Sequence, residues 1–451
     1  MPPSRLIAAC TEVSGRLAAL PATTVQGEIA ALSGLAVELR GLAPLLAVGD
    51  RMALHGREGS IAAEIVGFRD GLAQALAFGP LDGLGPGRPA EAALPPRPAS
   101  LAVSDQWLGR VVDPLGRPLD GRGALPPGPA PRPVRAAPPP ATGRSRLGPR
   151  FGFGVRALDL FVPSREGQRL GLFAGAGVGK STLLAMLAGH ADCDVAVLAL
   201  VGERGREVRE FIEDTLGEAG LAHAVVVVAT SDAPPLLRRE AAYAAMTIAE
   251  HFRDQGRRVL LLLDSLTRTC LALREIALAA GEAPGARGYP PSVFAELPRL
   301  LERAGPGAVA TGGQITGLFT VLVEGDDMND PVADAVRSIL DGHVVLDRRI
   351  AERGRYPAID VLRSLSRTAT TCTDAAEQAL AAHARAALAL QAELADLVRL
   401  GAYRPGADPA ADEALALAPR IEALLRQAHD APCPLPDALA GLRAALDGGP
   451  S

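Results

Sequence analysis

Residues 174–181 read Ala-Gly-Ala-Gly-Val-Gly-Lys-Ser, between an apolar run at 170–173 and a helical stretch at 182–188. This is the composition of a loop that holds the phosphates of a nucleotide. Gly175, Gly177 and Gly179 bring no side chains, so backbone N–H groups around Ala176 and Val178 can turn inward on an anion at a helix N-terminus. Lys180 adds a point charge for the outer phosphates, the Ser181 hydroxyl can ligate Mg²⁺, and Thr182 follows as a further nucleotide contact. The strict pattern opens on Gly; Ala174 stands in that place, and its lone methyl is small enough to be tolerated. Taken alone, the segment could also be an ordinary Gly-rich turn from strand to helix.

A phosphate loop works with a second acid at a neighbouring strand end, which holds the water shell of Mg²⁺. Leu260 to Leu263 form an apolar run that ends in Asp264, a residue that could equally cap a helix. Hydrolysis also needs a base or orienter for the attacking water. Glu203, after the apolar run at 195–201, is the choice for that role, and Arg204 beside it could pair with acids or phosphate oxygens. Further along, Arg363 and Arg367 suit a guanidinium directed at a neighbour's γ-phosphate, or plain surface positions. Tyr356 could stack on adenine or simply pack before Pro357. The acidic run 324–330 reads as a solvated loop in which Asp330 caps a helix starting at Pro331, rather than as a metal site.

Several kinds of element must hold these residues. Leu6, Cys10, Val13, Leu17 and Leu20 recur at helical spacing until Pro21, so residues 1–21 are expected as an amphipathic helix, packed on its own domain or docked to a partner protein. Short alternating segments broken by Gly predict a small β-barrel over 22–96. Residues 97–150 read as a connector, with turn chemistry at 113–121 and a stretch at 125–140 that is half proline. Over 151–372, continuous apolar runs at 195–201, 224–229, 259–263, 318–323 and 344–346 suit a parallel sheet covered on both faces. Residues 373–451 are Ala/Leu-rich and helical, interrupted at 401–409 and 432–436.

Composition narrows the function. The chain has 451 residues and a formal net charge of −5, with a pI near 5.9 and few aromatics, which argues against a nucleic-acid partner. Its five cysteines and seven histidines are scattered, with neither zinc nor disulfide spacing. No apolar run approaches the ~18 residues of a membrane span, and a cytoplasmic protein is the expectation.

Together these stretches resemble the ATPases of type III protein export, relatives of the catalytic subunits of rotary ATP synthases. The likeness runs from Thr24 to about Gln427 and is densest at 171–182, 264–268, 288–303 and 319–341. Residues 239–243 and 248–256 look most like the flagellar branch, with the virulence-secretion branch as the alternative. The resemblance implies an α/β fold: a RecA-like phosphate-loop NTPase core with a parallel sheet, a small β-barrel before it and a helical domain after it. It makes Lys180 and Ser181 the phosphate and Mg²⁺ contacts, Glu203 the catalytic carboxylate and Arg204 a supporting cation. Asp264 becomes the acid of the second strand, Tyr356 the adenine stacker, and Arg367 rather than Arg363 the arginine finger.

The resemblance further implies Mg²⁺ with ATP, and a homohexamer with active sites between subunits. As partners it implies a stator-like negative regulator at the N-terminal helix and a central coiled-coil stalk near Leu400 to Tyr403. Export substrates with their chaperones follow, and indirectly a membrane export gate, with the ring peripheral to the inner membrane. A non-catalytic ring subunit, a rotary synthase subunit and an RNA-translocating hexamer are rival readings. The chain departs from the usual pattern at Ala277, where Gly is common, and in the irregular stretch 143–153.

Overall fold

The computed structural model describes residues 23–94, 99–310, 312–323 and 330–447. The amphipathic stretch 1–21 and the acidic residues 324–329 lie outside them.

Alternation of apolar and polar residues between Gly-led turns produces six short strands at the start of the described chain. They close into a barrel in the order Thr23–Ser33, Ala36–Arg40, Leu72–Ala77, Ser60–Arg69, Arg51–His55, Pro89–Leu94. Ile29, Val37, Leu39, Leu54 and Ile65 fill its interior. The barrel is tied to the next unit by buried charge. Arg239, on the helix Pro235–Arg253, donates from Nη2 to Glu64 of the barrel and to its own neighbour Glu240, each at 2.7 Å. Arg51 of the barrel reaches Glu240 at 2.9 Å. Such a set holds only while complete, since removing one member strands a charge away from water.

The central unit is built on a nine-stranded sheet. Its main path runs Ile359–Ser366, Gly342–Leu346, Arg169–Ala174, Gln314–Leu322, Arg258–Asp264, Val195–Glu203, Ala224–Thr230, Arg110–Val112. The continuous apolar runs are buried on both faces: Val195, Val197, Ala199 and Val201 enter one core, Ala196, Leu198 and Leu200 the other. The phosphate-loop helix Lys180–His190 and the C-terminal helices cover the second face, while Pro235–Arg253 and Leu266–Ala279 cover the first. The pairings from Gly342–Leu346 to Arg110–Val112 are all parallel, so their C-terminal ends share one edge, where ligands bind in such sheets.

Two features differ from the sequence expectation. Arg110–Val112, inside the stretch read as a connector, pairs with Ala224–Thr230 and forms the far edge of the sheet. Ile359–Ser366 is an antiparallel edge strand beside Gly342–Leu346. Its pattern is mixed, with Ile359 and Val361 buried but Leu362, Arg363 and Leu365 exposed, because only one face meets the core. After it come the helices Ala375–Arg399, Pro409–Leu425 and Leu435–Asp447, broken near the Gly and Pro positions that the sequence marked.

Candidate active site

The loop leaves the strand Arg169–Ala174 at the shared edge and enters the helix at Lys180. Ala174 still belongs to the strand and is buried, which explains why a methyl is accepted where the pattern has Gly. Val178 is buried in the core and anchors the middle of the loop, while Gly177 and Gly179 take φ values of 74° and 88° that favour glycine. A methyl on Gly179 would lie 3.3 Å from Cδ1 and Cε1 of Tyr356, so the half-exposed Tyr356 ring flanks the loop.

Three charged side chains converge beside the loop. Lys180 Nζ donates to Glu203 Oε1 at 3.3 Å and, more closely, to Asp264 Oδ1. Asp264 ends the strand Arg258–Asp264, and Glu203 ends the adjacent strand Val195–Glu203. Glu203 gets there through an irregularity in the register at Gly202, whose φ of 70° turns the chain. Arg268 Nη1 donates to the Gly202 carbonyl at 2.8 Å and braces that turn. Hard oxygen donors, the Ser181 hydroxyl and the Asp264 carboxylate, are the right set for Mg²⁺, and a cation already sits between two carboxylates. The residues present fit the ion.

Arg204 is not drawn into this cluster. It is exposed, and its Nη1 pairs with Glu207 at 3.2 Å on the following helical turn. Asp330 accepts from Val332 N at 2.9 Å and Ala333 N at 3.2 Å, the cap expected for the helix Pro331–Ile339. Arg363 belongs to its own chain's site surroundings: it lines a small cleft with Ala174 and Gly175 and pairs with Asp347 at 3.5 Å. Arg367 lies at the other end of the sheet. Leu346 pairs with Ala174 beside the loop, whereas Ser366 pairs with Gly342, about 13 Å lower along the strand at 3.3 Å per residue. The Arg367 side chain is exposed and has no hydrogen-bond or ion-pair partner among the described residues, and it cannot reach its own loop.

Three residues near the loop escaped the sequence. Arg348 Nη2 donates to the Ala176 carbonyl at 2.8 Å and fastens the loop from outside. Arg268 and Arg348 also line a cleft of about 690 Å³ beside Gly175 and Ala176. Thr320 Oγ1 donates to Asp264 Oδ1 at 2.7 Å. For Thr320 a signal existed: a lone hydroxyl in the buried apolar run 318–323 must find a partner.

Comparison with known proteins agrees with this fold. Residues 154–366 match the model of the ATP synthase alpha/beta family, nucleotide-binding domain, and residues 373–444 match the T3SS EscN ATPase C-terminal domain. The chain is 53% identical to the flagellum-specific ATP synthase of Caulobacter vibrioides over 90% of its own length and 92% of that protein's. It is 47% identical to a type 3 secretion system ATPase of Pseudomonas syringae pv. tomato, over 95% of each. The assembled ATPase EscN, solved in complex with its central stalk EscO from the enteropathogenic E. coli type III secretion system, superposes with a TM-score of 0.84. That match has 38% identity and covers 93% of this chain and 100% of the other. The chain therefore belongs to the ATP synthase alpha/beta family, in the group that holds the flagellum-specific ATP synthases and the type 3 secretion system ATPases.

Proposed function

We propose that this chain hydrolyses ATP to energise type III export of flagellar proteins, as a ring whose active sites lie between subunits. The observation that carries this reading is Lys180 held between Glu203 and Asp264 at the mouth of the phosphate loop. When ATP enters, the ammonium has phosphate oxygens to move to, and the loop amides share the charge that grows on the γ-phosphate. Glu203, freed of Lys180, orients the attacking water and takes its proton. Tyr356 would stack on adenine, and the Ser181 hydroxyl, with Asp264 acting through water, would hold the Mg²⁺ that accompanies the nucleotide. Bound Mg²⁺ neutralises charge on the outer phosphates. Arg367 acts on the neighbouring subunit's γ-phosphate, which its position far from its own loop supports. Arg204 remains a candidate supporting cation that would have to leave Glu207 to serve.

The chain's partners follow the same reading. A homohexamer, a coiled-coil stalk facing the C-terminal helices near Leu400 to Tyr403, and a stator-like regulator at residues 1–21 complete the machine. Export substrates with their chaperones and the membrane export gate are its working partners, with the ring held peripherally at the inner membrane. No described helix is long and apolar enough to cross a membrane itself. The identity of 53% to a flagellar relative favours the flagellar branch, whereas the likeness to assembled EscN keeps a virulence-type secretion system as the second reading. Co-purification with residues 1–21 separates the two.

The test of the chemistry is phosphate release from ATP by the wild type and by Glu203→Gln. The variant should bind ATP normally and turn over at least about 100-fold more slowly, the size of a lost general base. Wild-type turnover by Glu203→Gln would remove Glu203 from the mechanism.

A further inference from the structure

The strand Gln314–Leu322 lies between the strand that feeds the phosphate loop and the strand that ends at Asp264. Three of its buried residues are polar. Gln314 donates to the Arg146 carbonyl and Thr316 accepts from Gly167 N, both at the end of the strand far from the loop. Thr320 sits at the other end, fully buried, and its partner is the acid of the site. Its hydroxyl lies 2.7 Å from Asp264 Oδ1, with the Leu263 carbonyl at 3.2 Å as the only other acceptor among the described residues.

Oδ1 of Asp264 thus receives both the Thr320 hydroxyl and the Lys180 ammonium. Oδ2 has no protein donor among the described residues. A carboxylate turns freely about its last bond, so its plane must be set by what it accepts. Thr320 is suited to set it: a β-branched side chain on a strand has little rotational freedom, and the core holds its methyl. The contact is also of the short, charge-assisted kind.

We propose that Thr320 is a positioning residue for Asp264, holding Oδ1 so that Oδ2 stays available to the water shell of Mg²⁺. The bond matters most once Lys180 leaves for the phosphates. Asp264 is then a buried carboxylate without its cation, and the Thr320 hydroxyl is the protein donor that remains on it. The proposal rests on the reading of this pocket as a Mg²⁺–ATP site.

Thr320→Val keeps the shape and removes the donor, while Thr320→Ser keeps the donor. Binding of a non-hydrolysable ATP analogue is measured by calorimetry with Mg²⁺ and with EDTA. In Thr320→Val the affinity with Mg²⁺ should fall about tenfold, the low end for a hydrogen bond to a charged group, while the affinity in EDTA stays within about twofold. Turnover at saturating ATP should fall by a similar factor, and Thr320→Ser should restore both. Equal loss with and without Mg²⁺, equal loss in Thr320→Ser, or no loss in Thr320→Val would each overturn the proposal. If Thr320→Val does not fold, Thr320→Ala takes its place under the same expectations. A wild type that binds the analogue no better with Mg²⁺ than with EDTA would instead bring down the reading of the whole site.

Discussion

Lys180, Glu203 and Asp264 come from three separate places in the chain, yet each was legible by a local rule. Lys180 follows a run of glycines, and the two acids follow apolar runs of a length that suits buried strands. Thr320 left only a partial signal, since a hydroxyl in a buried apolar run must find a partner but the run does not say which, and Arg348 left none, because no local pattern marks an arginine whose partner lies on the loop. The physical consequence of the cluster can be measured without nucleotide. The Lys180 and Asp264 side chains are 13% and 5% exposed, so deleting the ammonium leaves a nearly buried carboxylate with only Thr320 to compensate it. Lys180→Met should therefore lower unfolding stability in nucleotide-free buffer by about 3 kcal/mol, the usual cost of breaking a buried pair from one side. Chemical denaturation reads this directly. A change below about 0.5 kcal/mol, the size typical of a surface pair, would mean that the ammonium is not held there in solution.

Among the elements, the five long apolar runs declared themselves, since strands buried on both faces need apolar residues at every position. The edge strands Arg110–Val112 and Ile359–Ser366 did not, one being too short for a pattern and the other covered on a single face. The joint between the nucleotide unit and the C-terminal helices was also hidden. There the turn at 153–155 is gathered by Asp159 of the helix Arg156–Phe161, which accepts from Phe153 N at 2.8 Å and Val155 N at 3.1 Å. Gln427 donates to the Gly154 carbonyl of the same turn at 2.7 Å, and its backbone N–H donates to the Tyr356 carbonyl at 2.9 Å. Asp159 is buried, and burial pushes its carboxyl up to about 6, against 3.8 unperturbed. Between those values the folded protein keeps a proton that the unfolded chain has lost. Its contribution is complete below about pH 3.8 and is lost as pH rises through about 6. The stability difference between wild type and Asp159→Asn, which cannot titrate, should shift against the wild type by about 2 kcal/mol from pH 4 to pH 7. A difference that is flat with pH would show that Asp159 ionises in the fold as readily as in water.

For the whole molecule, the parallel sheet gathers the loop, Asp264 and Glu203 on one edge, while its antiparallel last strand carries Arg367 to the opposite end. On the proposed reading of Arg367 as a finger, a single chain has a cradle and a finger that cannot meet, and closed rotational symmetry is the simple way to make every cradle face a finger. Glu203→Gln and Arg367→Ala should each be nearly inactive alone, the first for lack of a water-orienting acid, the second for lack of charge on the γ-phosphate. Mixed in equal amounts and allowed to exchange subunits, they should regain activity. An interface is intact when the cradle comes from an Arg367→Ala chain and the finger from a Glu203→Gln chain, and random mixing makes about a quarter of the interfaces so. Phosphate release from the mixture should then approach about a quarter of the wild-type rate, and it should rise with protein concentration. If Arg367 served its own loop, every chain in the mixture would lack one of the two groups, and the rate would stay at that of the separate variants. The antiparallel register at Ser366 and Gly342 argues for recovery, because it leaves the arginine at the end of its own sheet opposite the loop, out of reach of its own site.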